Sequence, residues 1–297
     1  MIKAKPFVKW AGGKGKLIKQ LEAFLPVDFD IYSDVTYIEP FVGGGAMLFH
    51  MLQTHKNIRK AVINDINPDL IRCYKLIKDR PDELIDRLEL IESVFYNHDV
   101  LDKRELYYAY RDQYNQSVDS DEKASLLIFL NHTCFNGLYR VNASGLFNVP
   151  YGRYKNPTIC NKEVIMEDHR LFNSIDLIIR DPGDYKLISS NLSPDGLNFV
   201  YFDPPYRPLL NESNFKSYSY SPFSDIQQEE LKLFCDELTE RGVRWMQSNS
   251  DSKNEDGKSY FEVLYDSYAF QIVYAPRVIN AFGKGHGKIT ESLIRNP

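Results

Sequence analysis

The stretch "TYIEPFVGGGAMLFHML" (residues 36–52) limits the possible folds more than any other part of the chain. Its first residues suit a buried strand, three glycines suit a tight turn, and the apolar run after them suits a helix. Soon afterwards "KAVINDINPDL" (60–70) repeats the opening, with Asn67 suited to cap a new helix and Pro68 to its first position. Strand, crossover helix and strand in so short a span make a βαβ unit, which predicts a Rossmann-like α/β sheet with the glycine turn at the carboxyl end of a strand.

The turn leaves two readings open. It is a tight strand-to-helix connection, or it is a cradle that lets a ligand approach the backbone and a helix N-terminus. It lacks the dinucleotide fingerprint, because Leu48 rather than glycine stands three residues after Gly45. Asp65 lies 22 residues after Gly43, at the end of the second strand. An acid there either closes an Asx turn or accepts hydrogen bonds from ribose hydroxyls. No phosphate-loop lysine follows the glycines, and "GGKGKL" (12–17) does not match the P-loop pattern. The combination favours a ligand with adenosine and no phosphates, such as S-adenosylmethionine. In "FVKWAGGKGKL" (7–17), Lys14 could meet a carboxylate and Trp10 could cover a ring or a sulfonium. A packed tryptophan in a basic segment is the alternative.

Beyond residue 68 the rhythm changes. Residues 68–130 read as helical throughout, with Leu70, Ile71, Tyr74 and Ile77 on one face and Leu84, Ile85, Leu88 and Ile91 on another. The segment "FNGLYRVNASGLFNVPYGRYKNP" (135–157) reads as an ordered functional loop. Strands are expected near 185–189, 199–202 and 243–247, a helix over 225–241, and β structure over 260–295 with a glycine-rich turn at 283–287. The economical organisation is a catalytic domain of residues 1–67 and 158–297, interrupted by a mainly helical insert of residues 68–157.

"FVYFDPPYRP" (199–208) carries the chemistry. Prolines end a strand, so Asp203 belongs just past a strand end with Tyr206 a turn away. The Asp203 carboxylate and the fixed Pro204 carbonyl can each accept one hydrogen of an exocyclic amine. Held that way, a nitrogen whose lone pair is delocalised into a ring becomes pyramidal and turns that lone pair toward an electrophile. Tyr206 can stack on the ring. Positioning and electrostatics suffice, with no metal and no covalent intermediate required.

Six motifs taken in order carry a resemblance: Trp10-Ala-Gly-Gly-Lys14, Glu39-Pro-Phe41-Val-Gly-Gly-Gly45, Asn64-Asp-Ile-Asn67, Phe135-Asn-Gly-Leu-Tyr-Arg140, Phe147-Asn-Val-Pro-Tyr-Gly-Arg-Tyr154 and Asp203-Pro-Pro-Tyr206. From about residue 6 to about residue 293 the chain resembles the Dam-type adenine-N6 DNA methyltransferases, in the motif order of their alpha group. The resemblance implies transfer of a methyl group from S-adenosylmethionine, with S-adenosylhomocysteine as product, to the amino group of a flipped adenine in double-stranded DNA. It implies that Trp10, Lys14, Glu39, Phe41, Gly43, Gly45, Asp65 and Asp203 hold the cofactor, and that Asp203, Pro204, Pro205 and Tyr206 hold the adenine. Lys9 and Arg140 match readers of flanking guanines in relatives that methylate GATC, and Phe135 matches an aromatic wedge, with a place in the core as the alternative. Asn136, Arg153, Tyr154 and Lys284 complete the expected DNA contacts. In "INAFGKGHGKI" (279–289) the chain departs from the family's arginine- or serine-rich approach, which puts that hairpin's contacts in doubt. Methylation of RNA or a protein amide, and a DNA-binding module without turnover, are the other readings. The recognition insert argues against the first, and the intact cofactor and catalytic motifs argue against the second.

The net charge of −5 does not advertise a nucleic-acid binder. Three windows are nevertheless free of acids: residues 1–20 with six lysines, 131–160 with Arg140, Arg153 and Lys155, and 270–290 with Arg277, Lys284 and Lys288. Chance clustering would produce this, and so would a DNA-facing surface. Arg140 suits the two acceptors of a major-groove guanine, whereas Arg153, Lys155, Lys284 and Lys288 suit phosphates. The four cysteines form no Cys-x-x-Cys pair and suggest no disulfide framework. No stretch approaches the ~18 apolar residues of a membrane span, and no secretory leader is evident. A cytoplasmic monomer is expected, with a restriction endonuclease as a conceivable functional companion.

Overall fold

The computed structural model describes residues 2–10, 12, 14, 15, 17–97, 100–207, 223–254, 257–275 and 289–297. Two compact units emerge. The first comprises Met1–Gly13, Val42–Thr54 and Asn64–Asp184, the second Lys14–Phe41, His55–Ile63 and Tyr185–Pro297.

The second unit is built on strands. After the short helix α1 (Ile18–Glu22) come β1 (Val35–Glu39) and β2 (Ile58–Ile63). The strand β3 (Asp176–Ile179) belongs to the first unit, and β4 (Leu197–Phe202), β5 (Arg244–Ser250), β6 (Ala269–Ala275) and β7 (Ile289–Arg295) return to the second. The six strands of the second unit run in the order β2-β1-β4-β5-β7-β6. β1 is parallel to β2 and β4, β4 is parallel to β5, and β7 is antiparallel to β5 and β6. The inner strands β1 (VTYIE) and β4 (LNFVYF) are buried almost from end to end, as parallel strands covered on both faces must be.

From β1 the chain moves to one side, to β2, and later returns on the other side as β4. That reversal makes the gap between β1 and β4 a topological switch point, where open α/β sheets bind ligands beyond the carboxyl ends of their strands. The register pairs Ile38 with Val200, so Glu39 and Asp203 leave the sheet at the same edge.

The first unit is mainly helical: α2 (Ala46–Thr54), α3 (Pro68–Asp79), α4 (Pro81–Tyr96), α5 (Val100–Gln116), α6 (Ser120–Thr133) and α7 (Lys162–Phe172). The Asn67 side chain accepts from the N–H groups of Asp69 and Leu70 at 3.0 and 3.1 Å and caps α3, with Pro68 at its first position. α6 packs against α3, α4 and α5 and is buried from Ala124 to Asn131, so it forms the centre of this unit.

Two expectations are corrected. Residues 185–189 are not a strand but part of a 3₁₀ turn, Tyr185–Asn191. Tyr185 and Ile188 are buried at a spacing of three, and Ser190 turns its hydroxyl onto the Leu187 carbonyl at 3.0 Å instead of joining a ladder. The β structure expected from residue 260 starts later, because Tyr260–Leu264 forms helix α9. The helix expected over 225–241 is α8 (Asp225–Glu240), opened by a Ser224–Gln227 capping box. The glycine-rich turn at 283–287 lies outside the described residues. No helix among the described residues is long and apolar enough to cross a membrane.

Candidate functional site

The residues singled out in the sequence fall into two groups, one in each unit. In the second unit, β4 stops at Phe202 and Asp203 is the next residue. Lys14, only 3% exposed, places Nζ 3.0 Å from Asp203 Oδ1 and 3.3 Å from Glu291 Oε2. The same ammonium donates to the Tyr206 hydroxyl, and Tyr206 in turn donates to Glu291 Oε2 at 2.7 Å. The carboxylates that Lys14 meets are thus the protein's own, one of them in the Asp203-Pro204-Pro205-Tyr206 turn. Burial pushes the Asp203 carboxyl above its ordinary value, with Lys14 pulling it back and Glu291 pushing it up. Burial, reinforced by Asp203 and Glu291, also pushes the Tyr206 phenol well above its usual range, so its O–H stays a donor.

The tetrapeptide backbone is held from α8 and β5. Gln228 Nε2 donates to the Pro205 carbonyl at 3.1 Å, and the Arg207 N–H donates to Asn249 Oδ1 at 3.1 Å. Asn249 Nδ2 donates to Gln228 Oε1 at 3.2 Å, tying the two supports together. Arg207 forks onto Asp225 at 2.8 and 3.1 Å. Glu39, at the end of β1, is 3% exposed and accepts from the Tyr37 hydroxyl at 3.1 Å. Phe41 sits in an aromatic cluster, its ring centroid 5.3 Å from Tyr185 and 5.8 Å from Phe223.

In the first unit the glycine turn is closed from within. The Gly43 N–H donates to Asp65 Oδ2 at 3.0 Å, the Asn67 N–H donates to Asp65 Oδ1 at 2.9 Å, and Tyr74 donates to the Gly43 carbonyl at 3.0 Å. The Asx-turn reading of Asp65 is therefore realised, while the carboxylate keeps a lone pair for a ligand. Burial pushes the Asp65 carboxyl up, against the backbone N–H groups that pull it down. Gly43 has φ +48°, and a Cβ there would lie 2.7 Å from Trp10 Cδ1, so the indole rests directly on the turn. Gly45 lies in the same turn, with φ +73°.

Trp10 ends an N-terminal arm that is not a strand but is held like one. Gln53 of α2 donates to the Ala4 carbonyl at 3.1 Å, and Asp168 of α7 accepts from the Lys5 N–H at 3.0 Å. His132 of α6 bonds the Phe7 carbonyl at 3.0 Å. Asn131 of α6 accepts from the Lys9 N–H and donates to its carbonyl, both at 2.7 Å. Side chains take the place of a neighbouring strand, and the arm leaves the Lys9 side chain exposed with Nζ 4.8 Å over the Tyr154 ring.

The loop after α6 folds back on itself. Phe135 N–H donates to the Pro150 carbonyl at 2.8 Å and Asn148 N–H to the Arg140 carbonyl at 3.1 Å. Tyr139 stacks on Trp10 at 5.4 Å, and Asn131 donates to the Gly137 carbonyl at 3.0 Å. Gly137 lies so close to the arm that a Cβ would meet Lys9 Cβ at 2.8 Å. Arg140 is exposed and oriented by Asn148, whose Oδ1 accepts from Nε at 2.7 Å. Phe135 is 52% exposed, which removes its reading as a core residue. Asn136 and Arg153 are the two described non-glycine residues with left-handed backbone, φ 55° and 56°. Both lie among the expected DNA contacts, a setting in which such strain is often found.

Lys284 and the 279–289 turn lie outside the described residues. Sequence reasoning missed Glu291, Asn249, Gln228, Asn131 and Asp168. A signal existed for Asn249: "QSNS" (247–250) puts four polar residues in a strand that is buried there, and buried polar residues are informative.

Residues 10–278 match the family described as D12 class N6 adenine-specific DNA methyltransferase. The chain is 42% identical, over 99% of its length and all of the relative's, to the Type II methyltransferase M.MjaIII of Methanocaldococcus jannaschii. It is 37% identical to the Type II methyltransferase M1.LlaDCHI of Lactococcus lactis subsp. cremoris, over 99% of this chain and 96% of the other. Against the DNA adenine methylase of Escherichia coli K12 the identity is 31%, over 99% and 95% of the two chains.

Proposed function

The chain belongs to the D12 class of N6 adenine-specific DNA methyltransferases, and on that premise we propose that it methylates adenine within GATC in double-stranded DNA, after flipping the base out of the helix. The observation that carries the reading is the Asp203-Pro204-Pro205-Tyr206 turn at the carboxyl end of β4, beside the β1/β4 switch point, with Gln228 on its Pro205 carbonyl and Asn249 on the Arg207 N–H just after it.

The donor set fits S-adenosylmethionine. In the first unit, a glycine turn packed against an indole and an acid with a lone pair to spare for a ribose hydroxyl match parts of it. We assign cofactor contacts to Trp10, Gly43, Gly45 and Asp65 on the geometry within the first unit, and to Lys14, Glu39, Phe41 and Asp203 on the motif resemblance alone. When bound, the cofactor supplies an electrophilic methyl group on a sulfonium. The protein's own part is to present the amine. Asp203 and the Pro204 carbonyl each accept one amino hydrogen, and Tyr206 stacks on the ring. The nitrogen that gains a carbon must then shed a proton, and Asp203, held above the ordinary carboxylate range, is suited to receive it.

A paired adenine has one amino hydrogen engaged by its partner base and cannot offer both to Asp203 and the Pro204 carbonyl, so the base has to leave the stack, at a cost of a few kcal/mol. The exposed Phe135 would fill part of the gap. In this reading the insert of residues 68–157 recognises the target, Lys9 and Arg140 read guanines, and Asn136, Arg153, Tyr154 and Lys284 contact the backbone. The two Type II relatives share more residues with the chain than the E. coli enzyme does, which favours a modification role beside a restriction endonuclease. We place it in the cytoplasm as a monomer.

Purified chain incubated with methyl-labelled S-adenosylmethionine is expected to label a GATC duplex and not a duplex that lacks only that site, with the label recovered as N6-methyladenine. Label on both or on neither would remove the GATC assignment. Arg140→Ala is expected to relax discrimination at one flanking base pair by ~1–3 kcal/mol. Unchanged rates across single-substituted duplexes would take Arg140 off the list of readers.

A further inference from the structure

We propose that Glu291 is a positioning residue for the flipped adenine: it fixes the plane of Tyr206 through the phenolic hydroxyl and, with Lys14, sets the charge on Asp203. The inference rests on the functional reading above and adds a residue from the far, antiparallel part of the sheet.

The geometry is specific. Glu291 lies on β7, is 14% exposed, and is the acceptor of the Tyr206 hydroxyl at 2.7 Å. Its Oε2 also lies 3.3 Å from Lys14 Nζ, the cation that contacts Asp203 at 3.0 Å. A tyrosine that stacks on a base needs a defined ring plane. Pro205 stiffens the backbone just before Tyr206, and the ring is anchored through its hydroxyl, to which Lys14 donates and from which Glu291 accepts. Glu291 supplies its share of that anchor from a strand locked between β5 and β6, with Ser292 paired to Asn249 on one side and Ile272 on the other. The residue that holds the backbone just after the tetrapeptide, Asn249, and the residue that supports its aromatic ring are therefore offset by one position across the same ladder.

The charge arrangement follows. Lys14 and Glu291 face Asp203 together with Tyr206, Tyr37 of β1 and Tyr201 of β4, and Glu39 lies beside the last two. Lys14 favours the carboxylate form of Asp203 and Glu291 opposes it. Without the Glu291 charge, Asp203 would ionise at lower pH.

The test uses the full chain with Glu291→Ala, Glu291→Gln, Tyr206→Phe and the Glu291→Ala/Tyr206→Phe double variant, on the duplex that the wild type methylates. Glu291→Ala and Tyr206→Phe are each expected to lower kcat by about 10-fold or more with DNA affinity kept, and the double variant to fall less than about twofold below the weaker single variant. Glu291→Gln keeps an acceptor for the hydroxyl, so it should retain most of kcat while the acid limb of its pH profile moves to lower pH. With 2-aminopurine at the target adenine, Glu291→Ala and Tyr206→Phe should change the equilibrium fluorescence of the flipped base alike. Multiplying losses in the double variant, or an acid limb that does not move in Glu291→Gln, would overturn the assignment. A wild type that forms no N6-methyladenine in the same assay would instead overturn the functional reading.

Discussion

Asp203→Ala is expected to lower methyl transfer by about 10³-fold or more while leaving DNA affinity within about twofold, because the lost acceptor acts on the reacting amine and not on the duplex. Rapid-quench kinetics with labelled cofactor, beside a filter-binding isotherm, would measure both. The variant should also melt no lower than the wild type. Burial raises the Asp203 carboxyl, and a raised acid weakens the fold as pH climbs through the window between its ordinary and its raised value. Alanine removes that penalty, and Lys14 keeps Glu291 as a partner. A dead but unweakened enzyme would mark Asp203 as held in place for chemistry at the expense of stability. Near-normal turnover would dismiss the account of amine activation.

The second large effect concerns Asp168, which takes no part in the chemistry. It is fully buried in α7, accepts from the Lys5 N–H through Oδ1, and Oδ2 has no hydrogen-bond partner among the described residues. Burial pushes its carboxyl up to about 8, from an ordinary 3.8. The folded chain therefore holds a proton that the unfolded chain releases. The stability this contributes is complete below about pH 4 and is lost as pH rises to about 8. Asp168→Asn cannot ionise and still offers an acceptor to Lys5. Relative to the wild type, its unfolding free energy should gain on the order of 4 kcal/mol between pH 5 and pH 8, at 1.36 kcal/mol per pH unit. Urea titrations of both proteins at the two pH values check this. A gap that does not change with pH would mean that Asp168 is ionised throughout.

Much of this was legible because local and global signals agree. The 36–70 segment switches from strand to helical period at three glycines, and Asn67-Pro68 names a helix start by itself. Asp203-Pro-Pro-Tyr206 declares a strand end, since two prolines cannot extend a ladder. What escaped depends on distant partners. Glu291 is one acid in a short strand, and nothing nearby says that its carboxylate faces Tyr206 rather than water. Asn131 hides in the apolar run of α6, where its polarity makes sense only once Lys9 lies alongside. Asp168 did leave a trace, for it interrupts the buried stripe Val164, Ile165 and Phe172. The 185–191 turn was misread because apolar residues in a short segment fit a strand and a 3₁₀ turn equally well.

The arm of residues 4–9 also bears on the order in which the molecule assembles. Its anchoring bonds span 49, 122, 125 and 163 residues of sequence. Contacts that close such long loops form late, after the helices that offer them exist. On the ribosome the arm emerges before α7, which follows only after roughly ten to thirty seconds of synthesis. The arm is thus made before the helices that hold it and seated after them, and Lys9, proposed to touch DNA, is placed only when those helices are in place.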